Sequence, residues 1–229
     1  MEKLLSFDYN GVYRDLYCND NYFKVTTDNL CLTNFIKLRP SDKLLVDFGS
    51  GLFIIPILLS CKYDAKITGV ELDSEACLLA HKSIVKNKLE KQITVINDKI
   101  QNIRNYFDIN SVSVVVCNPP YFGSGKISPN SIKALARHEL GMSFDDVLKY
   151  ANLILKDKGR FYFVYRVERL GDIQELLRKY NFSLKRIQII YPSAYKRAKL
   201  VLVEACKNGR IDGLIVERPI ILEGGAENV

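Results

Sequence analysis

The apolar and polar positions of this chain alternate in two rhythms. Short apolar runs at 44–48, 67–72, 92–97, 112–117 and 160–165 read as buried strands, and 184–190 and 199–206 close the series. Over 52–61, 74–87, 144–155 and 170–180, apolar residues recur three or four positions apart, as on one face of a helix. Pro56 lies near a helix start, where its missing N–H costs least. Ser74 is placed to cap the second helix, and Gly159 to end the third. The alternation predicts an α/β, Rossmann-like fold: a seven-stranded, mostly parallel sheet with helices on both faces. No Pro- or Gly-rich linker divides the chain, so 1–229 reads as a single domain. Its core is 44–206, after an N-terminal helical extension over 1–43 whose helix runs to Lys37. Residues 122–142 form a long connection, and 185–229 form basic C-terminal strands and a tail.

In such a sheet, ligands bind beyond the carboxyl ends of the strands. The first strand runs into Asp47-x-Gly49-x-Gly51, glycines that let the backbone turn tightly beside a ligand. A dinucleotide loop would carry a third glycine, but Phe53 and Ile54 stand there. The shorter loop suits S-adenosylmethionine, which has no pyrophosphate to cradle. Glu71 ends the second strand, 24 residues after Asp47, where a carboxylate can accept from ribose hydroxyls. Asp98 ends the third, placed to accept from the adenine amino group, and Leu72 and Lys99 flank these acids at the same site.

The fourth strand stops at Asn118-Pro119-Pro120-Tyr121. The lone pair of an exocyclic amine on a planar base is delocalised, so a catalyst holds that NH2 by acceptors. The Asn118 side-chain oxygen and the Pro119 carbonyl supply two, the prolines stiffen the turn, and Tyr121 offers a ring for stacking on the base. No strong base is required when the methyl arrives on a sulfonium.

Composition adds bounds. The net charge of +7 permits a polyanionic partner. Six cysteines without a C-x-x-C pair read as buried thiols, and two separated histidines predict no metal site. The longest apolar stretch, 52–59, is far below the ~20 residues that span a bilayer. With no signal sequence at the N-terminus, the expectation is a cytoplasmic protein without membrane contact. Between 185 and 210, Lys185, Arg186, Lys196, Arg197, Lys199, Lys207 and Arg210 face one acid, Glu204, with Tyr191 and Tyr195 interleaved. That pattern suits phosphate contacts and stacking on unpaired bases. Arg186, Tyr195, Lys196, Arg197 and Lys199 are thus RNA-contact candidates, with Lys126, Arg137 and His138 from the long connection and Arg166 after the fifth strand.

The Asn-Pro-Pro-Tyr stop, with Asp-x-Gly-x-Gly and Glu before it, resembles the amino-group methyltransferases that use S-adenosylmethionine. Arg137-His138-Glu139, Gly159-Arg160-Phe161, Arg166-x-Glu168-Arg169-Leu170 and Val201-Leu202-Val203-Glu204-Ala205 follow in an order that resembles the bacterial tRNA1(Val) (adenine37-N6)-methyltransferase family. The similarity runs from Phe23 to Glu223, and Thr27-Asp28 resembles a family segment close to the cofactor. Two departures stand out: Phe53, where many relatives carry glycine, and Arg166-Val167, where relatives often have Arg-Pro. The resemblance implies N6-methylation of adenosine 37 in tRNA(Val) by a monomer that grips the anticodon stem-loop. An amino-group methylase of rRNA, DNA or release-factor glutamine, and a non-catalytic RNA-binding protein of the same fold, are the alternatives.

Overall fold

The structure is a computed structural model that describes residues 2–22, 25–119 and 143–222. The chain opens with a hairpin, β1 (Glu2–Tyr9) and β2 (Val12–Asn19), then α1 (Thr27–Phe35). Strands and helices then alternate: β3 (Leu44–Phe48), α2 (Ile54–Ser60), β4 (Lys66–Glu71), α3 (Ser74–Lys86), β5 (Ile93–Asn97) and β6 (Val112–Cys117). The second half holds α4 (Phe144–Ile154), β7 (Leu155–Arg166), α5 (Leu170–Lys179), β8 (Phe182–Tyr191) and β9 (Leu200–Lys207). Two short strands, β10 (Ile215–Val216) and β11 (Ile220–Ile221), follow.

The main sheet has nine strands in the order β10-β8-β9-β7-β6-β3-β4-β5, with β11 also beside β8. It contains all seven expected strands, and the additions are the two short edge strands. The run β5-β4-β3-β6-β7 is parallel, and β9 is the strand that runs against its neighbours. Alternate residues supply opposite faces of the sheet. Val114 and Val116 pack with α1, α2 and α3, while Val115 and Cys117 pack with α4 and α5. This two-sided burial is why β6 is apolar at nearly every position.

Three local expectations need correction. The extension over 1–43 is not helical throughout, because residues 2–19 form the antiparallel hairpin. Asn10 and Gly11 both have positive φ, 55° and 78°, the geometry of the tight hairpin turn that an Asn-Gly pair favours. The hairpin is held to α3 by side chains. The amides of Asp15 and Tyr17 donate to Asn87 Oδ1 (3.0 Å) and Ser83 Oγ (2.8 Å), and Asn87 Nδ2 donates back to the Asp15 carbonyl. Second, Asp73 caps α3 rather than Ser74, its carboxylate accepting from the amides of Glu75 and Ala76. Third, Gly159 does not end a helix. The strand β7 starts at Leu155 and bulges before its main pairing at Arg160, and a Cβ on Gly159 would lie 2.8 Å from the Lys156 carbonyl oxygen. Among the described residues, no helix is long and apolar enough to cross a membrane.

Phe53 is the N-cap of α2 and sits in the left-handed region at φ 62°. That explains the glycine preference at this position. The conformation costs a side chain ~1–2 kcal/mol. Burying the ring, which is fully enclosed here, offsets it by roughly 2–3 kcal/mol. The ring lies on the bare Cα of Gly69 in β4, where a Cβ would come within 2.1 Å of Phe53 Cε1. Gly69→Ala is therefore expected to lower stability by about 2–4 kcal/mol in urea unfolding. In a Phe53→Gly background the same alanine should cost far less, because the clash partner is gone. Equal losses in both backgrounds would show that the two positions are independent.

Candidate active site

The parallel strands end together on one sheet edge, and the polar segments line up along it in sheet order. Asp98 follows β5, Glu71 ends β4, the 47–51 loop ends and follows β3, Asn118 follows β6, and Arg166 ends β7. Between the ends of β3 and β6 lies a cleft of ≈ 360 Å³. Asp47, Gly49, Gly51 and Asn118 line it. Ser50, Asn29 of α1, and Asp20, Asn21 and Tyr22 beyond the hairpin line it too.

The loop is built from backbone hydrogen bonds. The amides of Gly49 (2.9 Å) and Ser50 (3.2 Å) donate to the Val70 carbonyl. Both glycines have positive φ, 68° and 55°, and no atom would meet a Cβ on Gly51 within 4 Å, so its bare face is open. Glu71 locks the loop from the side. Its Oε2 accepts from the Gly51 amide (2.8 Å) and its Oε1 from the Asp73 amide (2.9 Å), so one buried carboxylate ties two loops.

Asp47 is 1 % exposed. Its Oδ2 accepts from Ser50 Oγ at 2.6 Å, but among the described residues Oδ1 is buried with no hydrogen-bond partner. Burial pushes its pKa up to about 7; the Ser50 bond opposes the rise and the Glu71 charge adds to it. A buried carboxylate oxygen without a donor carries a desolvation cost, and that cost is what raises its pKa. Asn118 is half-buried, and its Nδ2 donates to Asn29 Oδ1 at 2.7 Å. Pro119 is buried behind it.

Other expected residues stand outside this cleft. Thr27 and Asp28 occupy the first turn of α1, next to Asn29. Leu72 and Lys99 are exposed at the ends of β4 and β5. Asp98 accepts from Asn102 Nδ2 (2.8 Å), the Lys99 amide (2.8 Å) and the Tyr106 hydroxyl (2.9 Å), and these bonds, Asn102 first, lower its pKa. Pro120, Tyr121, Lys126, Arg137 and His138 lie outside the described residues, as do Phe23 and Lys24.

On the other side of Asn118, a second cleft of ≈ 330 Å³ is lined by Arg166, Lys196, Arg197 and Lys199 with Glu168 and Pro192. Tyr195 is fully exposed nearby in sequence. Arg186 is a correction. It is 6 % exposed and bound inside the fold to Glu204 (2.8 Å), Glu217 (3.3 Å) and the Phe35 carbonyl (2.6 Å), with its guanidinium 3.8 Å above the Phe35 ring. Lys207 is likewise buried, on Asn110, Asn152 and Leu155 oxygens, and Lys185 donates to the Arg210 and Asp212 carbonyls. The residues missed from sequence are Asn29 and 20–22. The Asn10-Gly11 turn pair was the available signal, since it fixes the hairpin that delivers 20–22.

Residues 25–181 match the family model described as methyltransferase small domain. A relative from Shewanella halifaxensis, named tRNA1(Val) (adenine(37)-N6)-methyltransferase, is 28% identical over 160 residues, 70% of this chain and 65% of that protein. One of the same name from Aliivibrio salmonicida is 25% identical, over 79% of this chain and 76% of its own. The chain thus spans about two thirds to three quarters of the length of these relatives. Among solved structures, an Agrobacterium tumefaciens protein described as a predicted O-methyltransferase superposes with TM-score 0.69 at 19% identity, covering 88% of this chain and 90% of that one. A T. thermophilus 16S rRNA N2 methyltransferase, solved with AdoMet and guanosine, gives TM-score 0.64 at 17% identity over 90% of this chain and 50% of its own. These two likenesses carry the fold.

The raised pKa of Asp47 has a stability consequence. An acid whose folded pKa lies above its unfolded value stabilises the fold fully below the unfolded pKa, and that contribution is lost as pH rises through the folded one. The window here is 3.8 to about 7. Asp47→Asn should therefore gain stability relative to the parent chain across that window, by an amount on the order of a few kcal/mol above it. Melting curves at stepped pH check this, and a constant difference between the two proteins would contradict it.

Proposed function

We propose, since the chain belongs to the methyltransferase small domain family, that it methylates N6 of an adenosine in tRNA, at position 37 beside the anticodon of tRNA(Val). The observation that carries the reading is the single cleft that joins the 47–51 loop to Asn118. A donor loop and an amine-holding amide open into one space, as direct transfer requires. The relatives from Shewanella halifaxensis and Aliivibrio salmonicida, named for adenine-37 of tRNA1(Val), support tRNA and the adenine.

The donor is S-adenosylmethionine, which supplies a methyl group activated on a sulfonium. The residues fit it. Asp47 offers an idle oxygen, Gly51 an unshielded backbone, and Glu71 holds that backbone in place. Thr27, Asp28, Leu72, Asp98 and Lys99 form the outer rim of this site. On the acceptor side, Asn118 Oδ1 and the Pro119 carbonyl accept from the adenine amino group, drawing its lone pair out of conjugation and aiming it across the cleft. Tyr121, following in sequence, supplies the stacking ring. No strong base is required, because the proton leaves an already methylated, cationic nitrogen.

Substrate RNA takes the second cleft. Arg166, Lys196, Arg197 and Lys199 meet phosphates there, and Tyr195 projects as a stacking ring. Lys126, Arg137 and His138 join them on sequence grounds. Arg186 is left out, because its charge is spent on Glu204 and Glu217.

The test is transfer of tritiated methyl from S-adenosylmethionine to a tRNA(Val) transcript, run beside rRNA, DNA and release factor. Label is expected in tRNA alone and is expected to vanish when adenosine 37 becomes guanosine; equal labelling of that transcript would sink the assignment. Asn118→Ala should lower kcat by roughly 100-fold or more while tRNA still binds. Replacing Arg197 and Lys199 by alanine should weaken tRNA binding and reduce the slope of log Kd against log salt by about 1–1.5. An unchanged slope would remove these two from the interface.

A further inference from the structure

Asn118 can serve its proposed role in one orientation only. An amide is planar, with an acceptor on one side and a donor on the other. With Oδ1 towards the cleft it accepts from an amine. Rotated by half a turn, it presents NH2 to NH2 and repels the group it should hold. Asn29 is the neighbour that bears on the choice. Asn118 Nδ2 donates to Asn29 Oδ1 at 2.7 Å across 89 residues of sequence, and among the described residues no donor is bound to Asn118 Oδ1.

Asn29 is itself held. It sits in the first turn of α1, where its amide donates to Thr26 Oγ1 (3.3 Å) and its carbonyl accepts from Thr33 Oγ1 (2.7 Å). The helix is anchored by buried Leu32, Phe35 and Ile36. These bonds fix the Asn29 backbone, so its side chain leaves a held element and meets Asn118, which follows the last residue of β6. Both line the same cleft.

We infer that Asn29 is a positioning residue, which holds the Asn118 amide with its oxygen facing the substrate amine. This rests on the amino-methyltransferase reading above. It adds a residue from outside the Asn-Pro-Pro-Tyr motif, and it explains why an amide acceptor stands at this point of α1. The pair sorts donor and acceptor without a charged group, so the cleft keeps its carboxylates for the other side.

The experiment compares the parent chain with Asn29→Ala and Asn29→Asp. Asp keeps the acceptor, and Ala removes it. The first readout needs no activity: the side-chain amide protons of Asn118 in a 1H–15N spectrum. In the parent and the Asp variant one proton should be shifted downfield and slowed in solvent exchange, and in the Ala variant both should exchange fast. The second readout is turnover. Asn29→Ala should lower kcat about tenfold with KM for S-adenosylmethionine and melting temperature little changed, and Asn29→Asp should recover most of it. Identical Asn118 amide signals in the parent and Ala proteins, or an unchanged kcat in the Ala variant, would overturn the inference. A parent chain that transfers no methyl group to any amine, with the spectral difference intact, would instead overturn the functional reading and leave the Asn29–Asn118 contact standing.

Discussion

β3 is hydrogen-bonded to β4 on one side and β6 on the other, and both pairings are parallel. The chain therefore winds away from β3 in two directions, and the loops that leave β3 and β6 part above the sheet. A cleft opens where they part. Its chemistry follows from the apolar runs that stop there. Inside the central strands the backbone is laddered, and in β6 every side chain is buried. At the edge, amides and carbonyls lose their ladder partners, and polar side chains become affordable. Glu71 shows the consequence: it accepts from amides of two loops that the sheet cannot pair, and so turns the frayed end of β4 into a rigid wall.

The costs of the site are set against the core that carries it. Phe53 takes a backbone conformation that side chains avoid, and Asp47 has one carboxylate oxygen with no partner among the described residues. Neither would persist alone. The Phe53 ring is enclosed over Gly69, one residue before Val70, whose carbonyl holds the 47–51 loop. Asp47 is flanked in β3 by Val46 and Phe48, both fully buried. The packing that defines the fold and the strain that defines the cleft occupy the same few residues.

The sheet was legible because strands buried on both faces cannot hide in sequence. Val112–Cys117 carries its pattern in six consecutive residues. The hairpin was less so. Its exposed residues alternate only loosely, and the burial of β1 is mostly at its end. The Asn10-Gly11 turn was the firm signal in that segment. Charge was the least legible property. Lys185, Arg186 and Lys207 look like Arg197 and Lys199 in sequence, yet the fold consumes the first three. Register decides it: Arg186 lies opposite Glu204 on adjacent strands, a pairing visible only once β8 and β9 are aligned. The Asn29–Asn118 contact was illegible for the same reason, since it depends on where α1 lands above the sheet.

The charged side chains at the sheet edge are sorted along it. Asp98, Glu71 and Asp47 stand at the ends of β5, β4 and β3, and Arg166, Lys196, Arg197 and Lys199 cluster beyond the ends of β7 and β8. The facing members, Asp47 at the end of β3 and Arg166 at the end of β7, are two strand spacings apart, about 10 Å. The screening length at physiological salt is ~8 Å, so each end keeps its own potential. A sulfonium donor is drawn to the acidic end, and a polyanion is drawn to the basic one and repelled from the other. Net charge alone says only that an anion is welcome. The division of charge along the sheet edge separates two ends of opposite sign, and Asn118 at the end of β6 lies between them in sheet order.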